Sequence, residues 1–165
     1  MGAGSDRTIA FVALGSNLEE PQVQVRRGFE ELAALPQTTL LDRSSLYTSA
    51  PVGYADQPDF VNAVARIETG LSPREVLDAL LAIELRHGRQ RSMPNGPRTL
   101  DMDLILYGDL QHHEAGLTIP HPRMHERAFV LMPLVEIAPD CDIPGKGLAK
   151  DWLAKCADQQ LRKMT

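Results

Sequence analysis

Apolar positions along the chain switch between two rhythms, short dense runs and helical spacing. Residues 8–14, Thr-Ile-Ala-Phe-Val-Ala-Leu, form a dense run closed by Gly15-Ser16-Asn17, which predicts a buried strand followed by a turn. Pro21 suits the first turn of a helix. Val25, Phe29, Leu32 and Leu35 then recur at helical spacing as far as Pro36, so a helix is predicted between the two prolines. Residues 38–48, rich in Thr, Leu and Tyr, predict a strand. A loop with two prolines and a glycine follows, and 60–69 predicts a further strand. Its pleat puts Phe60, Asn62 and Val64 on one face and Val61, Ala63 and Ile67 on the other. Ser72-Pro73-Arg74-Glu75 has the form of a capping box with proline at the first helical position. The helix it opens, 73–87, is expected to bury Val76, Leu77, Leu80 and Leu81 and to stop at Gly88. A fourth strand is predicted over 100–107, then a short extended piece at 117–119, an apolar segment at 129–137 and a last helix over 148–163. Strand, helix, strand, strand, helix, strand is the split β-α-β order of an α+β, ferredoxin-like sandwich. Its sheet is antiparallel-rich and its helices lie mainly on one face, leaving the other face for a site.

The fourth strand carries the most informative pattern. Alternation sends Met102, Leu104 and Leu106 to one face and Asp101 and Asp103 together to the other, with Cα atoms about 6.5–7 Å apart. Two carboxylates side by side repel and are unfavourable in a strand unless something offsets the charge. A hard divalent cation does so, and Mg²⁺ is often held by one or two carboxylates with phosphate oxygens and waters completing its shell. A strand end whose two acids simply face water remains the alternative for that pattern taken alone.

Its surroundings favour the metal. Between Arg86 and Arg98 stand Arg86, Arg89, Arg91, Arg98 and His87 with no acidic residue, although the chain as a whole carries a net charge of -5. The planar guanidinium fork suits phosphate, and Gly88, Pro94, Gly96 and Pro97 make the segment a loop. Asp-x-Asp beside an arginine loop points to metal plus polyphosphate. Glu84 continues the apolar stripe of its helix, so it is expected to be paired with an arginine or a ligand. Residues 118–127 pack His121, His125, Arg123 and Arg127 into a proline-restrained segment. No Walker loop or GxGxxG turn is present, so any nucleotide is held by other means.

Composition narrows the class further. The 165 residues are one domain's length, expected as a single catalytic domain with 1–7 as a flexible tail. With 43% hydrophobic and 24% charged residues, intrinsic disorder is excluded. The negative balance opposes nucleic-acid binding by charge. No apolar run reaches the roughly 18 residues of a membrane span. Cys141 and Cys156 are far apart, and two free thiols in a reducing cytosol are expected. A cytoplasmic monomer with neither a nucleic-acid nor a membrane partner is the expected state.

Leu14-Gly-Ser-Asn17, Tyr47-Thr48 with Pro51-x-Gly53, Gln57-Pro-x-Phe-x-Asn62, Ile83-Glu84, Gly88-Arg-x-Arg91, Gly96-Pro-Arg-Thr-Leu-Asp-Met-Asp103 and Ile119-Pro-His121 occur in that order. In this the chain resembles the 6-hydroxymethyl-7,8-dihydropterin pyrophosphokinases of folate biosynthesis, from about Ile9 to Pro139. The resemblance implies transfer of pyrophosphate from ATP to the pterin hydroxymethyl group. It implies two Mg²⁺ on Asp101 and Asp103, with Arg89 and Arg98 neutralising charge at the reacting phosphorus. Glu84, Arg91, Leu104, Thr118, His121 and Arg127 would surround the ATP. The flat pterin would lie between Phe60 and Phe129, its edge read by Asn62 and by the backbone of Ser49, Ala50 and Val52. Two rivals remain, a metal-dependent phosphohydrolase on the same Asp pair and a non-enzymatic ferredoxin-like ligand-binding module.

Overall fold

In the computed structural model, residues 7–18, 20–49, 59–88 and 99–164 are described. Five of the candidate site residues, Ala50, Val52, Arg89, Arg91 and Arg98, lie outside them, as does nearly all of the N-terminal tail. The elements run β1 (Thr8–Ser16), α1 (Pro21–Ala33), β2 (Thr38–Arg43), β3 (Tyr47–Ser49), β4 (Phe60–Thr69), α2 (Pro73–Arg86) and β5 (Asp101–Tyr107). After these come β6 (His112–Glu114), β7 (Leu117–Ile119), α3 (Ala128–Ile137), β8 (Asp142–Ile143), β9 (Gly147–Leu148), α4 (Ala149–Ala154) and β10 (Leu161–Lys163).

The main sheet has the order β10-β3-β4-β1-β5, with β2 also paired to β4, and every pairing is antiparallel. The dense run of β1 lies inside the sheet, between β4 and β5, where both of its edges are paired. The two long helices, α1 and α2, pack on one face over Val12, Leu14, Ile67, Leu100, Met102 and Leu104. The expected capping box opens α2: Ser72 Oγ accepts from Glu75 N at 3.2 Å, and Glu75 Oε1 accepts from Ser72 N at 2.8 Å. Its buried stripe is Val76, Leu80, Ile83 and Glu84, whereas Leu81 is 37% exposed. The stripe therefore turns toward Ile83 and Glu84 and away from Leu81.

The second face is not open across its whole width. The shorter α3 covers one end of it, over Phe11, Val64, Ile105 and Leu106. Leu106 reaches that cluster because alternation fails once in β5. Phe11 opposes Leu106 and Val12 opposes Leu104, leaving Ile105 as an extra residue, a bulge that turns Leu106 away from the face of Met102 and Leu104.

Two other expectations change. The strand read over 38–48 is two strands laid end to end along β4, interrupted where Ser44 N donates to Val64 O and Ser44 Oγ accepts from Val64 N, both at 2.9 Å. A side-chain oxygen here replaces a ladder carbonyl. The helix expected over 148–163 ends after one and a half turns, and the chain returns as β10 along β3. Pairing with an open sheet edge outweighs the helical spacing of Trp152, Leu153 and Cys156. Among the described residues no helix is long and apolar enough to cross a membrane.

Candidate active site

Register across the sheet brings the predicted site residues into line. Asn62 on β4 lies directly opposite Gly15 on β1, and Gly15 lies opposite Asp101 on β5. One row down, Val64, Ala13 and Asp103 are aligned in the same way. Residues directly opposed in antiparallel strands share a face, so Asn62, Asp101 and Asp103 all point to the side that α3 only partly covers. Adjacent strands are about 4.8 Å apart, which puts the Asn62 and Asp101 backbones roughly 10 Å from each other. Between them sits a residue without a side chain. A Cβ on Gly15 would lie 3.3 Å from Asn62 Oδ1, so the bare backbone keeps that interval clear.

Asp101 and Asp103 are both half-buried. Among the described residues no group of three or more His, Cys, Asp or Glu could hold a metal. Two carboxylates without a third such group among the described residues would suit a hard cation that keeps waters and phosphate oxygens rather than a closed protein cage. Glu84, expected near a nucleotide, is 2% exposed, and its Oε2 accepts from Met102 N at 2.7 Å. The buried acid of α2 therefore grips the backbone between the two aspartates. Ser16 Oγ donates to Thr99 O, just upstream of them. Ser16 and Asn17 are both fully buried polar residues. The sequence predicts a turn there and no site role, although two polar residues closing a dense apolar run are a visible signal.

On the pterin side expected from the resemblance, Ser49 opposes Phe60 at the start of β4, and Asn62 Nδ2 donates to Ser49 Oγ at 2.7 Å. Phe60 and Phe129 are both half-buried. Phe129 is carried by the first turn of α3, with the Arg127 guanidinium 5.5 Å above its ring. Leu104 lies in the core under α1 and α2, on the face opposite the aspartates. Thr118 sits at the middle of β7 with its Oγ1 3.0 Å from His113 Nδ1. Two residues absent from the sequence reading anchor α3. Gln159 Oε1 accepts from Ala128 N at 2.9 Å, and its Nε2 donates to Glu126 O at 2.8 Å, so one amide straddles Arg127. At the other end Glu136 binds Ser45 and Tyr47.

His121 is tied to β5 by its own N–H, which donates to Ile105 O at 3.0 Å. Its Nδ1 accepts from Arg123 N at 3.1 Å, which leaves the ring proton on Nε2. Burial and the nearby Arg127 charge lower its pKa to about 4, with Asp101 pulling the other way and Arg123 adding a smaller push down. A neutral imidazole with its proton on Nε2 is a hydrogen-bond donor that carries no charge.

This has a measurable consequence. An unfolded histidine titrates near pH 6.5, so between about pH 6.5 and 4 the unfolded chain binds a proton that the folded one does not. Stability then falls as pH drops through that window and levels off below it. The metal-free protein is expected to lose about 2–3 kcal/mol through this group, allowing for its partial exposure. His121→Gln should flatten the decline, read as urea midpoints at pH 6.5, 5 and 4 in the presence of chelator. Parallel curves for the two proteins would remove His121 as the cause.

A family model described as 7,8-dihydro-6-hydroxymethylpterin-pyrophosphokinase (HPPK) matches residues 11–139. A 2-amino-4-hydroxy-6-hydroxymethyldihydropteridine pyrophosphokinase of Pseudomonas aeruginosa is 46% identical over 154 residues, covering 93% of this chain and 95% of the relative. One of the same name from Haemophilus influenzae is 45% identical over 155 residues, 94% of this chain and 97% of its own length. Among solved structures, the HPPK-DHPS of Plasmodium falciparum, as a triple mutant with STZ-DHP, superposes with a TM-score of 0.73 at 13% identity, over 91% of this chain and 43% of that one. That likeness shows a shared fold, and this chain spans less than half the length of that structure's chain. A match over most of the molecule, and near-half identity to full-length relatives from two bacteria, give one result: the chain belongs to the 7,8-dihydro-6-hydroxymethylpterin-pyrophosphokinase family.

Proposed function

We propose that this protein transfers the pyrophosphoryl group of ATP to 6-hydroxymethyl-7,8-dihydropterin, giving AMP and the pterin diphosphate, a step in folate biosynthesis. The observation that carries the reading is the row Asn62–Gly15–Asp101, which lines up a ring-edge reader, a cleared interval and a metal-type carboxylate on one sheet face. The hydroxymethyl oxygen attacks the β-phosphorus, the bond from that phosphorus to the α,β-bridging oxygen breaks, AMP leaves with the bridging oxygen, and the hydroxyl proton is released.

Asp101 and Asp103 would hold Mg²⁺, two ions being the number the family resemblance implies. When bound, Mg²⁺ offsets the triphosphate charge and aligns the phosphates for in-line displacement. Arg89 and Arg98 supply positive charge where it is needed as the bridging oxygen takes up negative charge. Arg91, Arg127 and Thr118 contact the nucleotide, and neutral His121 donates from Nε2 to a phosphate oxygen without adding a second cation beside Arg127. Glu84 and Leu104 act from within the fold, holding the strand under the nucleotide. Phe60 and Phe129 offer flat faces to the pterin. Asn62, fixed by Ser49, reads its donor and acceptor edge, together with the backbone of Ser49, Ala50 and Val52. The enzyme works as a single cytoplasmic domain and a monomer, with no nucleic-acid or membrane partner.

Incubation with ATP, Mg²⁺ and the reduced pterin tests the proposal. AMP formed only when pterin is present is the expected result. ADP or free phosphate without pterin would assign a phosphohydrolase instead, and binding of pterin without turnover would assign a non-catalytic module.

A further inference from the structure

Helix α3 is apolar but for Glu136 near its end, in the run Ala-Phe-Val-Leu-Met-Pro-Leu-Val-Glu-Ile. Glu136 lies seven residues beyond Phe129, and that spacing places both on one stripe of the helix. The carboxylate does not face solvent alone. Its Oε1 accepts from Ser45 N at 3.0 Å and from Tyr47 Oη at 2.8 Å, its Oε2 accepts from Ser45 Oγ at 2.7 Å, and Lys163 Nζ of β10 stands 3.9 Å away. Tyr47 is only 5% exposed. Burial, with Glu136 beside it, pushes the phenol up to about 12, so it remains a donor throughout the working range.

The strand gripped in this way is the one that serves the site. Tyr47 is the register partner of Asn62, and Ser49, two residues on, accepts the Asn62 amide. One end of α3 is therefore bolted to β3, while the other presents Phe129. Apolar contact between helix and sheet is non-directional and lets a helix slide. Three hydrogen bonds to a carboxylate are directional and strong. Over the seven residues from Glu136 to Phe129 the helix is about 10 Å long, so a small tilt at one end moves the ring at the other.

We infer that Glu136 is a positioning residue for the pterin. Through Ser45 and Tyr47 it sets the height of α3 over the sheet, and so the width of the slot between Phe129 and Phe60. The inference rests on the proposed function and names a residue that touches neither substrate. The effect is sensitive because stacking requires carbon atoms about 3.5–4.0 Å apart, and a gap of 0.5–1 Å already loses about a quarter to a half of that attraction.

Glu136→Gln is the direct test, with Tyr47→Phe and Ser45→Ala as milder variants that each remove one bond should the first not fold. Arg74→Ala, which breaks the 2.5 Å ion pair to Glu114 between α2 and β6, controls for loss of a surface tie elsewhere. The expected result is a 5- to 20-fold rise in pterin KM and Kd for Glu136→Gln, with a smaller rise for Tyr47→Phe. The Kd for a non-hydrolysable ATP analogue and kcat at saturation should stay within about twofold. Unchanged pterin affinity in Glu136→Gln, beside a wild type that does turn over pterin, would overturn the inference alone. So would equal losses of pterin and nucleotide affinity that track the drop in Tm, since that is general loosening. A wild type that binds no pterin would overturn the inference together with the proposed function.

Discussion

Asp103→Ala is expected to lower pterin-dependent AMP formation by three orders of magnitude or more while the protein melts within a few degrees of wild type. The two halves of that expectation have separate grounds. Asp103 is half-buried and shares its face with Asp101, so the side chain contributes charge more than packing in the core. Removing it also relieves the repulsion between two carboxylates about 6.5–7 Å apart along one strand, which offsets whatever local interaction is lost. Activity has no such compensation. One carboxylate cannot hold the ion or ions against a triphosphate in the same place, and metal and positional contributions of this kind are each worth several kcal/mol of transition-state stabilisation. The measurement is kcat at saturating ATP and pterin across a Mg²⁺ titration, beside thermal unfolding by circular dichroism. Activity within tenfold of wild type would remove Asp103 from the metal site, and a collapsed Tm would make it a structural residue instead.

That the aspartates could be found in advance follows from the period of a strand. Asp101 and Asp103 differ by two, so any extended segment puts them together, and the reading survives without knowledge of the neighbours. The same logic placed Phe60 and Asn62 on one face of β4. It failed at Leu106, where a bulge adds one residue and reverses every later assignment on that strand. Bulges are products of pairing, and pairing partners are not written locally. Residues 38–48 and 148–163 misled for the same reason. The interruption at Ser44 exists because of a bond to Val64, and β10 exists because β3 offers an edge. The site row is a third case. Asn62, Gly15 and Asp101 lie far apart in sequence, and only antiparallel register on both sides of β1 aligns them. The two ties on α3, Gln159 and Glu136, were the least visible. Each is a single polar residue with no periodic pattern around it, given meaning only by the backbone groups it meets.

Glu84→Leu is expected to lower both stability and turnover, and the comparison with Glu84→Gln separates the two effects. The carboxylate is 2% exposed and accepts from Met102 N, in the peptide chain between the aspartates. Leucine is somewhat larger and has no acceptor, so the substitution leaves a buried N–H without that bond, at a cost of about 1–3 kcal/mol. For a domain of this size each kcal/mol moves Tm by about 2–4 °C, which gives an expected fall of roughly 3–10 °C. The strand end then has freedom to shift. Misplacing reacting groups by about 1 Å can cost on the order of a hundredfold, so kcat should drop 10- to 100-fold and the Mg²⁺ requirement should rise. Glutamine keeps a carbonyl oxygen that can accept from Met102 N while losing the charge. It is expected to recover most of the Tm and to hold kcat within about tenfold. A Glu84→Leu protein that melts lower yet turns over normally would mean that other contacts, such as Ser16 with Thr99, suffice to aim the aspartates. A Glu84→Gln protein as inactive as Glu84→Leu, with its Tm restored, would mean that the negative charge itself takes part at the nucleotide, as the family resemblance implies for this position.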